Sequence, residues 1–375
     1  MAGIYIHIPF CYKACHYCDF HFSTSLTLKT KLIDAICKEL KLKNKYLGTQ
    51  LVETIYFGGG TPSILDEKYI AKILKTIYKY FSISKFLECT FEVNPNDLTV
   101  GKTRSLIKLG VNRFSVGAQS FDDIQLKLLN RSHTSKQIER SIRLIQDLGV
   151  YNINIDLMYG TPNLKNKLWE NNLMKAVSLN VTHMSCYCLT IEKGTVFHKM
   201  VNSGKLKIDS DDNIKLQFLT MRDILRRNNF VHYEISNFCI PSFESKHNSS
   251  YWKGKNYLGV GPSAHSFNGK KRHWNIKNNY KYIDALNNDN NYFEEEILTK
   301  KNIANEYILT NIRTNKGLAR NILSRLTNNI EYSKLMSQLD KLINDRLIIN
   351  KKDRFYLTQN GMILCDKITT DLFLA

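Results

Sequence analysis

Three cysteines near the start of the chain, Cys11, Cys15 and Cys18, stand in the run IYIHIPFCYKACHYCDF. The spacing CxxxCxxC brings three thiolates into one short loop, where they can ligate three irons of a four-iron cluster. A ferredoxin cluster that only passes electrons uses four cysteines, whereas the next cysteine here is Cys37. The triplet therefore predicts a 4Fe-4S cluster with one iron open to a cofactor.

Two other uses of these cysteines have to be weighed. A zinc site needs four ligands, and His16, His21 or Asp19 could supply the fourth, so the spacing alone leaves zinc open. A disulfide framework is disfavoured because nine cysteines is an odd number in 375 residues. No basic start followed by an apolar core precedes Cys11 either. The cysteine content therefore favours a reducing cytoplasm.

The composition indicates a large protein with a conventional core. Hydrophobic residues make up 43% of the chain, and no run reaches the ~20 apolar residues that a membrane span needs. The formal net charge of +19 would suit an anionic partner such as nucleic acid, a membrane surface or a multi-carboxylate substrate. However, the lysines are scattered among many asparagines, which is typical of solvated faces. We therefore expect no nucleic-acid partner.

Short β-rich runs alternate regularly with segments of helical periodicity over the first 230 residues. The predicted strands are Gly3–Ile8, Leu51–Phe57, Phe86–Val93, Arg113–Val116, Asn152–Met158 and Thr182–Leu189. About six successive strand–helix units imply parallel strands joined by right-handed crossovers. The sequence therefore predicts an α/β fold, a partial (β/α)6 barrel.

Chemistry in such barrels gathers at the C-terminal ends of the strands, and these ends carry polar or glycine residues here. The run Gly58–Gly60 lacks the lysine of a phosphate-binding loop and the spacing of a dinucleotide fingerprint, so it offers bare backbone to a ligand. Glu92, Asp156 and Arg131 could take an ammonium, ribose hydroxyls and a carboxylate, respectively. Each alone could equally be a helix cap or part of a structural ion pair.

A series of segments carries a resemblance to a known family. They are IYIHIPFCYKACHYCDF, YFGGGTPS, FEVNP, SVGAQSF, LNRSHT, IDLMYGTP, HMSCYCLTIEKGT, YEISNF, KHNSSYW and YLGVGPSAHSF, and further downstream ILTNIRTNKGL and FYLTQNG. Together they span nearly the whole chain, and they make it similar to radical S-adenosylmethionine (SAM) proteins of the coproporphyrinogen oxidase-like group. Each motif alone is weak, but their common order carries the resemblance.

The resemblance implies a set of cofactors and the residues that hold them. Cys11, Cys15 and Cys18 would ligate a 4Fe-4S cluster whose open iron binds SAM. The implied SAM contacts are Tyr5, Tyr17, Gly59, Gly60, Thr61, Glu92, Gln119, Arg131 and Asp156. The resemblance also implies an electron donor such as flavodoxin or ferredoxin.

Two functions occur within this group. Oxygen-independent coproporphyrinogen III oxidases decarboxylate two propionates of their substrate, whereas heme chaperones bind heme and deliver it to respiratory proteins. Three features favour the chaperone branch: Phe20 replaces a further cysteine of the oxidase pattern, only ten residues precede Cys11, and HNSSYW resembles a chaperone motif, HNxxYW. His247 is the implied heme ligand, with Tyr251 and Trp252 beside the porphyrin. A hydrogen-bonded surface histidine is the plain alternative.

The sequence predicts three regions. The radical SAM partial barrel covers residues 1–230, a family-specific extension with the HNxxYW motif covers 231–290, and a C-terminal winged-helix-like α+β region covers 291–375. This last region combines helical periods with a hairpin-like segment, LIINKKDRFYLT. The resemblance makes it a lid or partner surface. It also implies a cytoplasmic location, and it allows a homodimer and peripheral contact with the inner face of the membrane.

Overall fold

The computed structural model describes residues 2–374. Its strands are β1 Ala2–Ile8, β2 Val52–Gly59, β3 Ile83–Val93, β4 Arg113–Gln119, β5 Ile153–Tyr159, β6 His183–Cys188, β7 Val231–Glu234, β8 Asn237–Cys239, β9 Asn256–Val260, β10 His265–Phe267, β11 Lys271–Asn275, β12 Phe293–Ile297, β13 Leu318–Ala319, β14 Ile348–Lys351 and β15 Arg354–Leu357. Its α-helices are α1 Lys29–Leu42, α2 Glu67–Tyr80, α3 Val100–Lys108, α4 Asp123–Leu128, α5 Ser135–Asp147, α6 Asn166–Ser178, α7 Val196–Asn202, α8 Asp211–Arg227, α9 Lys246–Trp252, α10 Asn279–Asn287, α11 Lys300–Ile312, α12 Arg320–Leu326, α13 Asn329–Asn344, α14 Gln359–Ile363 and α15 Cys365–Asp371.

Twelve strands form one mixed sheet, in the order β12-β11-β10-β9-β1-β2-β3-β4-β5-β6-β8-β7. Strands β1 to β6 are parallel neighbours in chain order. These are the six predicted strands, each followed by at least one helix. Within the described residues the sheet runs from β12 at one end to β7 at the other without closing. The predicted partial barrel is thereby confirmed.

A seventh parallel strand, β9, pairs with β1 on the side away from β2. Strands β10 to β12 continue the sheet beyond β9 with antiparallel pairing, and the β7–β8 hairpin adds antiparallel strands next to β6. Strands from the predicted extension, residues 231–290, thus lie on both sides of the six-strand unit. The division of the chain at residues 230 and 290 stays a prediction.

The barrel strands alternate between an apolar outer face and a polar inner face. The outer face packs against the surrounding helices through fully buried side chains such as Ile4, Ile6, Ile55, Phe57, Phe91, Phe114, Ile153 and Ile155. The intervening positions point inward and meet one another across neighbouring strands, as Tyr5 and Tyr56 do with ring centroids 6.0 Å apart. The barrel interior is therefore lined by polar and aromatic side chains that can serve a site.

The C-terminal region has a core of its own. The three-stranded antiparallel sheet β13-β15-β14 packs with α11, α12, α13 and α15 around Ile312, Leu323, Leu339 and Phe355. The chain order of helix, strand, two helices and hairpin is that of a winged helix, in agreement with the prediction. No helix among residues 2–374 combines the length and apolar character needed to cross a membrane.

Candidate functional site

A cleft of about 550 Å³ opens at the C-terminal ends of the barrel strands. It is lined by the three cysteines and by most of the predicted SAM contacts: Tyr17, Gly59, Gly60, Thr61, Glu92, Gln119, Arg131 and Asp156. The volume lies within the range of ~300–1,000 Å³ that is usual for small-molecule sites. The structure thus brings residues from β1 to β5 and their loops into one place.

The loop that carries the cysteines is tied down at its base and at its tip. At the base, the Ser23 N–H donates to the carbonyl of Pro9 at 2.8 Å, and the Cys11 N–H donates to the carbonyl of Ser23 at 3.1 Å. At the tip, Asn130 Nδ2 donates to the carbonyl of Ala14 at 2.6 Å. These bonds hold the loop against the β4–α4 unit, so that all three thiols border the cleft.

The glycine-rich end of β2 lies directly on this loop. The Thr61 N–H donates to the carbonyl of Phe10 at 2.7 Å. A Cβ at Gly60 would lie only 2.7 Å from the same carbonyl oxygen, so no side chain fits at that position. The Thr61 hydroxyl in turn donates to the sulfur of Cys11 at 3.5 Å. The Gly-Thr pair therefore positions the first cysteine as well as offering backbone to a ligand.

Arg131 places a positive charge beside the second cysteine. Its Nη1 lies 3.3 Å from the sulfur of Cys15, and its Nη2 donates to Asn94 Oδ1 at 2.6 Å and to the Gly117 carbonyl at 2.9 Å. Its Nε is a buried donor without a hydrogen-bond partner among residues 2–374. A guanidinium at this distance would stabilise negative charge on a metal-bound sulfur, and the unpaired Nε could serve a ligand.

The three cysteines of the loop that borders the cleft are partly buried. Burial raises the pKa of Cys11 to about 11, opposed by the hydrogen bond from Thr61 and reinforced by the neighbouring thiols. Burial likewise raises the pKa of Cys18. Both groups carry protons at neutral pH in the absence of metal, so ligation of iron by them would release protons.

Two carboxyl groups face the cleft without a salt bridge inside residues 2–374, although the charge of Arg113 opposes the rise in the pKa of each. Burial, followed by the charge of Asp156, raises the pKa of Glu92 to about 7, although the Tyr56 hydroxyl donates to its Oε1 at 2.8 Å. Burial also raises the pKa of Asp156, whose Oδ1 accepts from Asn154 Nδ2 at 2.8 Å. In the described part of the chain neither carboxyl forms an ion pair. A positively charged ligand would offset the negative charge of these two neighbouring carboxyl groups.

Gln119 enters the cleft through an irregularity at the end of β4. The pairing with β5 shifts register between Val116 and Gln119, and Gln119 has a φ of 70°. A bulge of this kind redirects a side chain, and a left-handed non-glycine residue is a strained feature that recurs at functional sites. The family resemblance implied Gln119 as a SAM contact, but the sequence could not predict its backbone conformation.

Tyr5 lies on β1 outside the lining of the cleft. Its hydroxyl is 3.2 Å from His7 Nδ1, and His7 Nε2 donates to the carbonyl of His21 at the end of the cysteine loop. The His7 ring also lies 2.6 Å from where a Cβ of Gly59 would be. Sequence reasoning missed His7. It lies two residues after Tyr5 on β1 and therefore on the same face of the strand, which could have identified it. A direct SAM contact of Tyr5 stays a prediction.

His247 lies away from the cleft, on α9, and is 1% exposed. Its Nδ1 is 2.7 Å from Thr54 Oγ1 and its Nε2 is 2.8 Å from the Tyr251 hydroxyl, so both ring nitrogens are engaged. Burial lowers the pKa of His247 to about 3, which keeps the ring neutral. An iron could reach a ring nitrogen only if α9 moved. Heme ligation by His247 stays a prediction, and it requires that movement.

Comparison with known proteins identifies the family. The model of the radical SAM superfamily matches residues 5–172. The heme chaperone HemW of Lactococcus lactis is 32% identical over 97% of this chain and 95% of its own length. The chain belongs to the HemW family of radical SAM proteins. HemW of Bacillus subtilis is also 32% identical, and the match covers 98% of both chains.

Two further proteins are similar to this chain, one over part of its length and one in its fold. The mitochondrial radical SAM domain-containing protein 1 of Danio rerio is 34% identical over 70% of this chain and 60% of its own. The solved structure of coproporphyrinogen III oxidase (HemN) from Escherichia coli superposes with a TM-score of 0.85, covering 99% of this chain and 90% of that one. Its identity is 21%, so this likeness concerns the fold.

Membership of the radical SAM superfamily implies a 4Fe-4S cluster and SAM, and the residues of the cleft fit both groups. Three thiols border one face of the cleft, and a guanidinium stands beside one of them. Unpaired carboxyls and a spare Arg131 donor suit the charged ends of an amino acid that also bears a sulfonium. The donor set thus agrees with the cofactors that the family implies.

Proposed function

We propose that this protein is a heme chaperone, which binds a 4Fe-4S cluster, SAM and heme and delivers heme to respiratory proteins. The observation that carries the proposal is the similarity to HemW proteins over 97% and 98% of the chain. That similarity includes the extension and the C-terminal region as well as the barrel. A match confined to the barrel would support radical SAM chemistry without a particular function.

The cleft residues divide the binding of the two cofactors among them. Cys11, Cys15 and Cys18 would ligate the cluster, which when bound supplies an electron to the SAM sulfonium. Gly59, Gly60 and Thr61 would present backbone groups to the methionine part of SAM. Glu92 and Asp156 would accept hydrogen bonds from its ammonium and ribose hydroxyls, and Arg131 would donate to its carboxylate through the unpaired Nε. Tyr5, Tyr17 and Gln119 would complete the cofactor contacts.

The cluster loop is open to a reducing partner. Tyr12 and Phe20, which border the cysteines, are 58% and 73% exposed, so a small electron carrier could approach the cluster closely. We infer a cytoplasmic protein that is reduced by flavodoxin or ferredoxin. The peripheral membrane contact and the homodimer that the resemblance allows stay predictions.

The alternative function is oxidative decarboxylation of coproporphyrinogen III. It is disfavoured at Phe20, which stands at the mouth of the cleft where the oxidase pattern has a further cysteine. Anaerobically purified protein with a reconstituted cluster tests both functions in one preparation. We expect saturable heme binding, followed by difference absorbance, and no decarboxylation when SAM, dithionite and coproporphyrinogen are supplied. Steady turnover of the porphyrinogen would refute the chaperone proposal.

Two substitutions at His247 separate ligation from packing. His247→Ala removes the imidazole and also leaves Thr54 and Tyr251 without their partner. His247→Gln removes the imidazole but retains an amide that can hydrogen bond with either of them. If His247 ligates the iron, both variants shift the Soret band of bound heme. If it only holds α9 against β2, the Gln variant binds heme with the wild-type spectrum.

A further inference from the structure

A second cleft, of about 540 Å³, lies at the opposite, N-terminal end of the barrel strands. Its walls are the first residues of β2, one face of α9 and the turn that follows α11. Strand β2 contributes Thr54 to this cleft and Gly59 to the cofactor cleft, five residues or about 17 Å away along an extended strand. The barrel thus carries a separate cavity at each end.

The second cleft is lined by more lysines than acidic residues, the latter being Glu53 and Glu244. Four lysines line it, namely Lys246, Lys253, Lys255 and Lys316. Lys255 pairs with Glu53 at 3.5 Å, and the ammonium of Lys246 donates to the Phe86 carbonyl at 3.3 Å. Lys253 and Lys316 form no ion pair within residues 2–374.

These two ammonium groups are close enough to influence each other. The pKa of Lys253 is lowered, chiefly by burial and then by the charges of Lys316 and Lys255. Like charges held beside a cavity repel one another, and an anion bound between them relieves that repulsion. Lys253 and Lys316 are therefore suited to bind carboxylates of a ligand.

Aromatic surface adjoins these lysines. Trp252 lines the cleft with the Arg313 guanidinium 5.3 Å from its ring centroid, and its Nε1 is a buried donor without a partner in the described chain. The Phe86 side chain, also on the wall, is 81% exposed. A flat apolar ligand would bury Phe86 and lie beside Trp252.

Helix α9 separates this cleft from the barrel interior. Lys246, Ser249, Ser250 and Lys253 line the cleft and follow the three- and four-residue spacing of one helix face. His247 and Tyr251, four residues apart, share the other face and bond to each other inside the barrel. One face of the helix that contains the HNSSYW segment thus lines the second cleft, and the other face packs inside the barrel.

We propose that the second cleft binds a porphyrin, with the ring beside Trp252 and Phe86 and its two propionates at Lys253 and Lys316. The inference rests on the proposed function, because heme is the ligand in question. It adds the place and the contacts of binding, on the face of α9 that His247 does not occupy. The apolar porphyrin ring matches the aromatic wall of the cleft, and its two carboxylates match the two ammonium groups.

Equilibrium titration of the cluster-reconstituted protein tests this site. We compare wild type with the double variant Lys253→Ala/Lys316→Ala, using heme and its dimethyl ester, which lacks the propionate charges. The control is Lys75→Ala/Lys136→Ala, since these lysines are exposed on α2 and α5. The heme Kd should rise about tenfold in the cleft variant, as expected for loss of two contacts worth ~0.7 kcal/mol each, and stay unchanged in the control. The ester should bind both forms equally.

The outcomes separate the site from the function. If wild type binds heme and the cleft variant binds it equally well, the site is wrong while the chaperone proposal stands. If wild type binds no heme, both fail. Should the alanine pair not fold, Lys253→Gln/Lys316→Gln removes the same charges and keeps a polar side chain that is only one bond shorter. In addition, heme bound beside Trp252 should quench its fluorescence, so that Trp252→Phe loses part of the quenching; an unchanged signal would contradict the assignment.

Discussion

The Tyr56 hydroxyl donates a 2.8 Å hydrogen bond to Oε1 of Glu92. Tyr56 also lies beside His247, with ring centroids 5.0 Å apart. One side chain therefore contacts a carboxyl of the cofactor cleft and the histidine that supports helix α9. The bond to Glu92 favours the ionised carboxylate and opposes the burial that raises its pKa to about 7.

Replacing Tyr56 by phenylalanine should shift the pH dependence of SAM binding. Without the hydrogen bond, the pKa of Glu92 rises further, so less of the carboxyl is ionised at pH 7. We expect SAM affinity, measured by calorimetry, to fall several-fold at neutral pH and to recover as the pH is raised. Tyr78→Phe on α2 is the control. If SAM affinity changed with pH in the same way in wild type and Tyr56→Phe, the charge of Glu92 would have no role in SAM binding.

Cysteine substitutions should distinguish the cluster ligands from other thiols of the same cleft. Cys15→Ser should lose most of the iron and the brown charge-transfer absorbance after anaerobic reconstitution, since serine replaces a thiolate ligand. Cys188→Ser, at another wall of the cleft, should keep both. Iron and acid-labile sulfide analysis measures the effect. A colourless wild-type protein that retains zinc would support the zinc alternative instead.

Arg131→Lys should weaken both folding and SAM binding. A lysine ammonium cannot reproduce the fork that spans Asn94 Oδ1, the Gly117 carbonyl and the Cys15 sulfur. Acceptors left unsatisfied cost about 1–3 kcal/mol each, so the melting temperature should fall by several degrees and SAM affinity by about tenfold. Arg140→Lys, exposed on α5, is the matched control. Equal affinities in the two variants would remove Arg131 from the SAM site.

Glu39 should make the free energy of unfolding depend on pH. This buried carboxyl accepts from the Gly261 N–H at 2.9 Å, from Asn275 Nδ2 at 2.8 Å and from the Tyr282 hydroxyl. Burial nevertheless raises its pKa from 4.5 to about 7. The folded chain therefore holds this proton more tightly than the unfolded chain. The stability that results is present below about pH 4.5 and is lost as the pH rises to about 7.

Urea unfolding at pH 5 and pH 8 measures this contribution. The loss of unfolding free energy between the two pH values should be smaller in Glu39→Gln than in wild type, by an amount on the order of 3 kcal/mol. Glu294→Gln, at an exposed position on β12, should behave as wild type. An equal pH dependence in Glu39→Gln and wild type would exclude Glu39 as the source.

The sequence was sufficient to predict the six parallel strands and the cleft at their ends. Each of these strands is a β-rich run followed by helical periods, and the residues at the strand ends necessarily meet at one edge of a parallel sheet. Cys11, Gly59 and Asp156 could therefore be placed together before their contacts were known. Their common location depends on the order and direction of the strands, which the alternation of strand and helix patterns in the sequence predicts well.

The contacts inside the barrel could not be predicted in this way. His247 bonds to Thr54 across 193 residues of sequence, and no local pattern links the two. Strand β9 was missed because it has only five residues and lies in a loop-rich segment. It is followed by further strands and not by a helix, so it does not continue the strand–helix alternation of β1 to β6. The second cleft combines β2, α9 and the turn after α11, three segments whose proximity depends on the packing of the C-terminal region.

Strand β9 has a consequence for any attempt to shorten the protein. It supplies hydrogen-bond partners to β1 over Ala2 to Ile6, and β1 leads directly into the cysteine loop. A fragment ending near residue 230 would keep the pairing of β1 with β2 but leave the N–H and C=O groups on the opposite edge of β1 unpaired. Such an exposed edge can pair with other extended chains and promote aggregation. The six-strand unit with its cysteine loop is therefore not an autonomous module, because its solubility depends on a strand from the C-terminal part of the chain.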